Sequence, residues 1–349
     1  MPDFARRIIR WQRRFGRRDL PWQRDQDPYS IWVSEVMLQQ TQVAAVVPYF
    51  ERFIARFPSV AALAAAREDE VLQLWSGLGY YARGRNLLRA ATRIRTQHRG
   101  RFPRDRAALG ELPGIGRSTA AAIAVFSFGV RAAILDGNVK RVLARCFGVE
   151  GYPGSALVER RLWSLAESLL PARSVQVYTQ GLMDLGATVC TRSRPQCECC
   201  PVAEICAARR SGRIDELPAA RPRKAMPRRR ATWIVLRHCG RVLLERRPSA
   251  GLWGGLWTFP ELGREDAEEY CRREFGCTLA SKHRLAVIEH GFTHFKLTIS
   301  PVLCDVARVS PHAEQPGRIW MSIEDGACAA VPTPVRKLLR NLVVSAQVD

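Results

Sequence analysis

The stretch Leu112-Pro113-Gly114-Ile115-Gly116-Arg117-Ser118-Thr119 decides the fold of the first part of the chain. It joins two helical segments, the second reading as Arg117–Phe128. Glycines at 114 and 116 permit a tight turn that aims bare N–H groups outward at a helix start. Such a nest binds a phosphate without reading a base. Taken alone, Pro-Gly-x-Gly is usually just a turn. Here Asp136 stands twenty residues after Gly116, in Ile134-Leu135-Asp136-Gly137-Asn138-Val139-Lys140-Arg141, and a cysteine-dense loop follows. The surrounding periodicity is helical. Phe4, Ile8, Trp11 and Phe15 share one stripe, with arginines on the other face. Ser30 is placed to cap a helix from Ile31 toward Val47, and Val60–Leu74, Asn86–Arg99 and Val158–Leu169 are further amphipathic stretches.

Working outward, 349 residues are enough for two domains with a sizeable core. Lys and Arg total 54 against 33 Asp and Glu, a net charge of +21, which favours nucleic acid or an anionic membrane surface as partner. A hydrophobic content of 47% with 25% charged residues excludes disorder. No run of about 18 residues is free of charge, so insertion in a membrane is not expected. Arg6, Arg7 and Arg10 open the chain with no apolar run behind them, which argues against a secretory signal. Eleven cysteines, an odd number, then point to reduced thiols in the cytoplasm and not to a disulfide scaffold.

Between Ala207 and Arg230 the chain carries nine basic residues and three prolines, as an exposed linker would. Beyond it short strands are expected at Thr232–Arg237, Val242–Glu245, Leu285–Glu289 and Phe295–Leu303, with a helical segment over Arg264–Phe275. The reading is an all-α domain over 1–207, a basic linker over 208–230 and an α+β domain over 231–349.

Cys190, Cys197, Cys200 and Cys206 form C-x6-C-x2-C-x5-C, four thiolates able to close around a soft metal centre, zinc or iron–sulfur. Cys199 breaks any symmetric pair, so a zinc ribbon fits poorly. The spacing resembles the 4Fe–4S loop of the endonuclease III superfamily of DNA glycosylases. Arg192, Arg194, Arg209 and Arg210 around it would present cations to phosphates. Hairpin, aspartate and cysteine loop together match the layout of the helix-hairpin-helix glycosylases.

Glu35 is flanked by Trp32, Val33, Val36, Met37 and Leu38, so on a helix its carboxyl would be desolvated and its pKa raised. An isolated Glu is more often an exposed helical acid. The stretch Ser34-Glu35-Val36-Met37-Leu38-Gln39-Gln40-Thr41-Gln42-Val43 resembles the catalytic segment of the MutY family of adenine DNA glycosylases. So do Gly77-Leu78-Gly79-Tyr80-Tyr81-Ala82-Arg83 and the Asp136 segment. The resemblance covers nearly the whole chain. It implies Glu35 as general acid, Asp136 as the carboxylate facing an oxocarbenium-like sugar and Asn138 as an orienting residue. It also implies that Gln40 and Tyr80 wedge beside the opposite base, with Leu78 lining the same place, while the adenine is flipped out. Bifunctional relatives place a lysine where this chain has Ser118, and a hydroxyl cannot form their Schiff base.

In the second domain Gly255-x5-Glu261 begins like a Nudix box, yet the positions for its metal-binding glutamates hold Tyr270, Arg273 and Glu274. Magnesium binding and pyrophosphatase activity are therefore not expected. Phe292-Thr293-His294 is similar to the loop with which the MutY family probes 8-oxoguanine; alone, the His290–His294 pair would more often be structural. The expectation is a monomeric, nucleoid-associated, hydrolytic glycosylase with a 4Fe–4S cluster, acting on duplex DNA that holds adenine opposite 8-oxoguanine or guanine. Its rivals are an endonuclease III-type pyrimidine glycosylase/lyase and a non-catalytic, cluster-bearing DNA-binding protein.

Overall fold

The computed structural model describes residues 2–222, 225–309 and 315–346. They fall into two compact units. One comprises Met1–Ala65 with Asn86–Arg223, the other Ala66–Arg85 with Lys224–Asp349. Among the described residues no helix is long and apolar enough to cross a membrane.

The first unit is helical: α1 (Pro2–Phe15), α2 (Pro28–Leu38), α3 (Val43–Arg56) and α4 (Val60–Ala64) precede α5 (Glu68–Trp75), which belongs to the second unit. α6 (Ala82–Gln97) begins in the second unit and belongs to the first from Asn86 on, followed there by α7 (Arg106–Gly110), α8 (Arg117–Phe128), α9 (Gly137–Phe147), α10 (Ala156–Ser168), α11 (Val175–Asp184) and α12 (Ala207–Arg210). Phe4, Ile8 and Trp11 are buried as their stripe predicts, but Phe15, at the helix end, is exposed. The core gathers α1, α8, α9 and α11 around Ile8, Val125, Leu143 and Leu182.

Two expectations change here. Asp27, not Ser30, caps α2: its carboxylate accepts the N–H groups of Tyr29 and Ser30, and Pro28 supplies the first helical position. The helix expected to run on toward Val47 stops at Leu38, because Gln40 takes φ 58° and turns the chain before α3 begins. The start of the expected linker is also folded, with Ala208 and Leu217 buried. Leu217 and Ile214 offer their carbonyls to Arg145 of α9. Residues 223 and 224 lie outside the described residues.

The second unit is built on one mixed sheet. β1 (Arg228–His238) pairs antiparallel with β2 (Arg241–Arg246) through a tight hairpin, and parallel with β7 (Lys296–Arg308), Arg228 opposite Lys296 and Arg237 opposite Asp305. Trp233–Leu236 are all buried, as suits a central strand covered on both faces. β3 (Trp257–Thr258) and β8 (Arg318–Ser322) pair with β2, β4 (Glu261–Leu262) with β1, and β5 (Thr278–Arg284) and β6 (Ile288–Gly291) with β7. α13 (Ala267–Phe275) packs Cys271 and Phe275 against Ile234 and Cys304, and α14 (Ile323–Cys328) and α15 (Thr333–Ala346) close the chain.

Candidate active site and cysteine cluster

Gly114 makes the hairpin turn with φ 79°, and a Cβ there would stand 2.8 Å from Cβ of Asn86, so both conformation and space demand glycine. Leu112 and Ile115 are buried and anchor the turn. No side chain caps α8, whose N-cap is Gly116, so its first N–H groups are left for a ligand.

Asp136 is the N-cap of α9. One carboxylate oxygen accepts the Val139 N–H at 2.7 Å; the other lies 3.4 Å from the Asn138 amide. Burial pushes its pKa up, against the pull of those bonds and of Arg141. Glu35 sits on α2, a helix buried on nearly every side through Trp32, Val33, Val36 and Met37. Burial raises its pKa to about 8, and the charge of Asp136 adds to the rise, so at neutral pH Glu35 keeps its proton. Two acids separated by a hundred residues of sequence are thus brought within electrostatic reach of one another. Ser118, on the first turn of α8, accepts the Leu135 N–H at 3.0 Å, tying the hairpin helix to the segment that carries Asp136.

Glu35 lines a cleft of about 260 Å³. Trp22 and Phe126 give it flat apolar walls; Gln26 and Gln180 give it amides. Gln180 donates to the buried Asp184, which also holds Arg17 at 2.7 Å. A planar heterocycle with edge donors and acceptors suits such a lining. None of these four residues carried a signal in the sequence, because they come from the Pro21–Pro28 loop, α8 and α11, elements far apart along the chain.

After α11 the chain makes a π-helical turn, Leu185–Val189, that delivers Cys190. Cys190, Cys197, Cys200 and Cys206 surround a small hollow whose walls include Val142, Leu185 and Val202. Cys199 is exposed and hydrogen-bonds the Gln196 carbonyl, outside that hollow. Among the described residues no group of three or more His, Cys, Asp or Glu is arranged to hold a metal ion. Four thiols around a hollow are a donor set that would suit a soft metal centre, an iron–sulfur cluster among them. The buried Arg145 adds the cation that such an anionic group needs: its guanidinium lies 3.5 Å from the Cys190 Sγ and donates to the carbonyls of Thr191, Arg192 and Leu217.

Cluster loop and acid site share a junction. Arg141 donates to the Cys190 and Gly186 carbonyls and to the Asn138 amide oxygen. Gly186 is pressed so closely on α9 that a Cβ would fall 2.5 Å from Cβ and 3.0 Å from Cα of Asn138. Gly186→Ala is therefore expected to displace Asn138 and lower the chemical step about 10²-fold while iron content stays at the wild-type level. A full-rate variant in single-turnover assays would show that the contact is not needed.

In the second unit Tyr80, exposed and at φ 48°, meets Thr293 hydroxyl to hydroxyl at 2.5 Å. Leu78 is buried beside it in sequence; Gln40, in the first unit, is exposed. Phe292, Thr293 and His294 form the turn between β6 and β7, with Phe292 stacked on Phe295 at 4.5 Å. At the degenerate Nudix positions Glu274 is engaged by Arg273 at 3.1 Å and Arg318 at 3.5 Å, and Tyr270 packs edge-on against Phe275. A carboxylate claimed by two guanidiniums is a poor magnesium ligand.

Comparisons with known proteins match two stretches of the chain. The HhH-GPD superfamily of base excision DNA repair proteins matches residues 33–168, and the NUDIX domain family matches 231–341. The chain is 34% identical to the adenine DNA glycosylase of Buchnera aphidicola subsp. Acyrthosiphon pisum (strain APS), over 97% of each chain. With the adenine DNA glycosylase of Homo sapiens identity is 36%, over 93% of this chain and 71% of that one. Among solved structures a thermostable thymine-DNA glycosylase superposes with a TM-score of 0.55 at 31% identity, covering 60% of this chain and 95% of that one. An endonuclease III–DNA complex, at 22% identity and a TM-score of 0.52, covers 60% of this chain and 94% of that one and shares the fold.

Proposed function

This chain belongs to the adenine DNA glycosylase family, and from that premise we propose that it hydrolyses adenine from duplex DNA where adenine faces 8-oxoguanine or guanine. It is a glycosylase of base excision repair, and its partner is DNA. The observation that carries acid-assisted release of the base is the pairing of Glu35, raised to about 8, with Asp136. Adenine leaves with difficulty unless protonated. Flipped into the cleft, it meets a carboxyl that still holds its proton, which Glu35 gives to a ring nitrogen as the glycosidic bond lengthens. Asp136 then faces the cationic sugar, with Asn138 beside it, and water completes the substitution. The hairpin nest at Gly114–Gly116 takes a backbone phosphate. Tyr80, Leu78 and Gln40 fill the space left in the stack, and Phe292, Thr293 and His294 read the opposite base.

Ser118 supports hydrolysis over lyase chemistry, because no amine stands at that position to attack the sugar. Cys190, Cys197, Cys200 and Cys206 would hold a 4Fe–4S cluster. When bound, that group supplies cross-links that fix the loop and its arginines, not a proton or a nucleophile. The site of action is the cytoplasmic nucleoid.

Single-turnover base release on duplexes with A opposite 8-oxoguanine, G, T or C, with and without borohydride, tests the proposal. Fast loss opposite 8-oxoguanine, slower loss opposite G, little opposite T and no trapped adduct are expected. Release of a damaged pyrimidine with efficient trapping would favour the lyase reading, and no release at all the binding-only one. Iron analysis of the same preparation should return about four irons per chain; zinc in their place would overturn the cluster.

A further inference from the structure

Within the second unit, the loop that opens the degenerate hydrolase box touches both elements assigned above to the opposite base. On one side it receives the segment that ends in Tyr80. The Gly254 carbonyl accepts a hydrogen bond from Arg85. Gly255 takes φ +78°, and a Cβ there would stand 2.8 Å from Glu68 Oε1 and 3.3 Å from Leu72 Cδ1, so α5 lies directly against its bare backbone. Three more contacts pin α5 and its exit to the same unit: Arg246 to Asp69 at 2.8 Å, Gln73 to the Cys328 carbonyl at 3.0 Å and the Ser76 hydroxyl to the Val331 carbonyl at 2.6 Å. The turn that follows is stiff. Trp75 Nε1 and Arg83 both donate to the Gly79 carbonyl at 3.1 Å, and Arg83 also to the Leu78 carbonyl at 3.2 Å.

On its other side the same loop carries the lesion-reading turn. Trp253 packs its ring 5.6 Å from Phe292 and 5.9 Å from His290, with Trp233 behind it at 5.8 Å. Trp253 and Tyr80 both hold positive φ, 54° and 48°. A bulky side chain stays in that region only where its surroundings over-determine it. Tyr80 and Thr293, 213 residues apart in sequence, then meet at 2.5 Å.

We propose that residues 253–255, left over from a box that has lost two of its three metal-binding glutamates, form a brace that sets the position of Tyr80 relative to Thr293 and so the preference for the base opposite adenine. Arg85, Trp253 and Gly255 are positioning residues, and the proposal rests on the reading of Tyr80 and Thr293 given above. The Gly254 carbonyl and the bare face of Gly255 are filled by the chain's own Arg85, Glu68 and Leu72, so the loop serves as a socket.

The test uses the full-length, cluster-loaded enzyme with Arg85→Ala, Arg85→Lys and Trp253→Ala. Adenine release opposite 8-oxoguanine and opposite G is measured at saturating enzyme, together with the quench of a 2-aminopurine stacked beside the opposite base. Thermal midpoint and iron content monitor folding. In both alanine variants the preference for 8-oxoguanine should fall about tenfold, the size of one lost hydrogen bond or ring contact, with the rate opposite G within about threefold of wild type. Arg85→Lys, which can still donate to the Gly254 carbonyl, should recover most of the preference; a merely bulky structural role would not distinguish it. Unchanged preference, or an equal loss on both pairs, overturns the brace. A wild-type enzyme with no preference would sink the lesion reading instead. The brace then stands on the quench alone, and an undiminished quench in both alanine variants overturns it.

Discussion

Glu35→Gln should lower adenine release by about 10²–10⁴-fold, the range for losing a positioned general acid, while binding of the mispaired duplex is retained. The amide fills the same space on α2 but has no proton to give. The wild-type pH profile follows from the same group. Glu35 works protonated and its pKa is raised to about 8, so kcat/KM should be level below that value and fall as pH rises through it. The acid limb belongs to Asp136, which must be ionised to face a cation and whose pKa burial also lifts above 3.8. Stability carries an independent signature. Between the ordinary carboxyl value of 4.5 and about 8 the folded protein binds the Glu35 proton that the unfolded chain has released, so stability declines as pH rises across that window. Glu35→Gln removes the decline. The variant should match wild type below pH 4.5 and exceed it by up to about 3 kcal/mol near pH 7, seen as a raised thermal midpoint. A profile without an alkaline limb near pH 8, or a variant that releases adenine at full rate, would remove Glu35 as the acid.

Such an acid could be foreseen because its cause is local: Trp32, Val33, Val36 and Met37 surround it in sequence and on the helix alike. The turn at Gly114, the aspartate and the four cysteines were readable for the same reason, since each depends on residue types at short spacing. What the sequence hid is long-range. Arg145 looks like one more helical arginine until Ile214 and Leu217 fold back onto it. The break after Leu38 had no glycine or proline to announce it; Gln40 takes a left-handed conformation instead. β5 gave no signal because five of its seven residues face solvent in an unbroken run, leaving no alternation to detect. Spacing after the hairpin singles out Asp136 in the sequence. It is an N-cap by geometry, and capping leaves its second oxygen near Asn138.

That double use makes Asp136→Asn the sharpest test of the sugar-facing charge. Asparagine caps helices as well as aspartate does, so the Val139 N–H keeps a partner and α9 keeps its start. Thermal stability should change little, because the variant loses a carboxylate that burial already disfavours. Catalysis loses a negative charge aimed at a developing cation. By comparison with the removal of a single preorganised electrostatic group elsewhere, about 10²–10³-fold in rate is expected. The variant also reports on Glu35. Asp136 holds the Glu35 pKa up through its charge, so the neutral amide should move the alkaline limb of the residual activity below about 8 and erase the acid limb. A hydrogen-bonding role for Asp136 alone would cost rate without shifting the alkaline limb. A charge-based role moves both together, and a variant with wild-type rate and an unmoved limb would leave the sugar cation without its carboxylate.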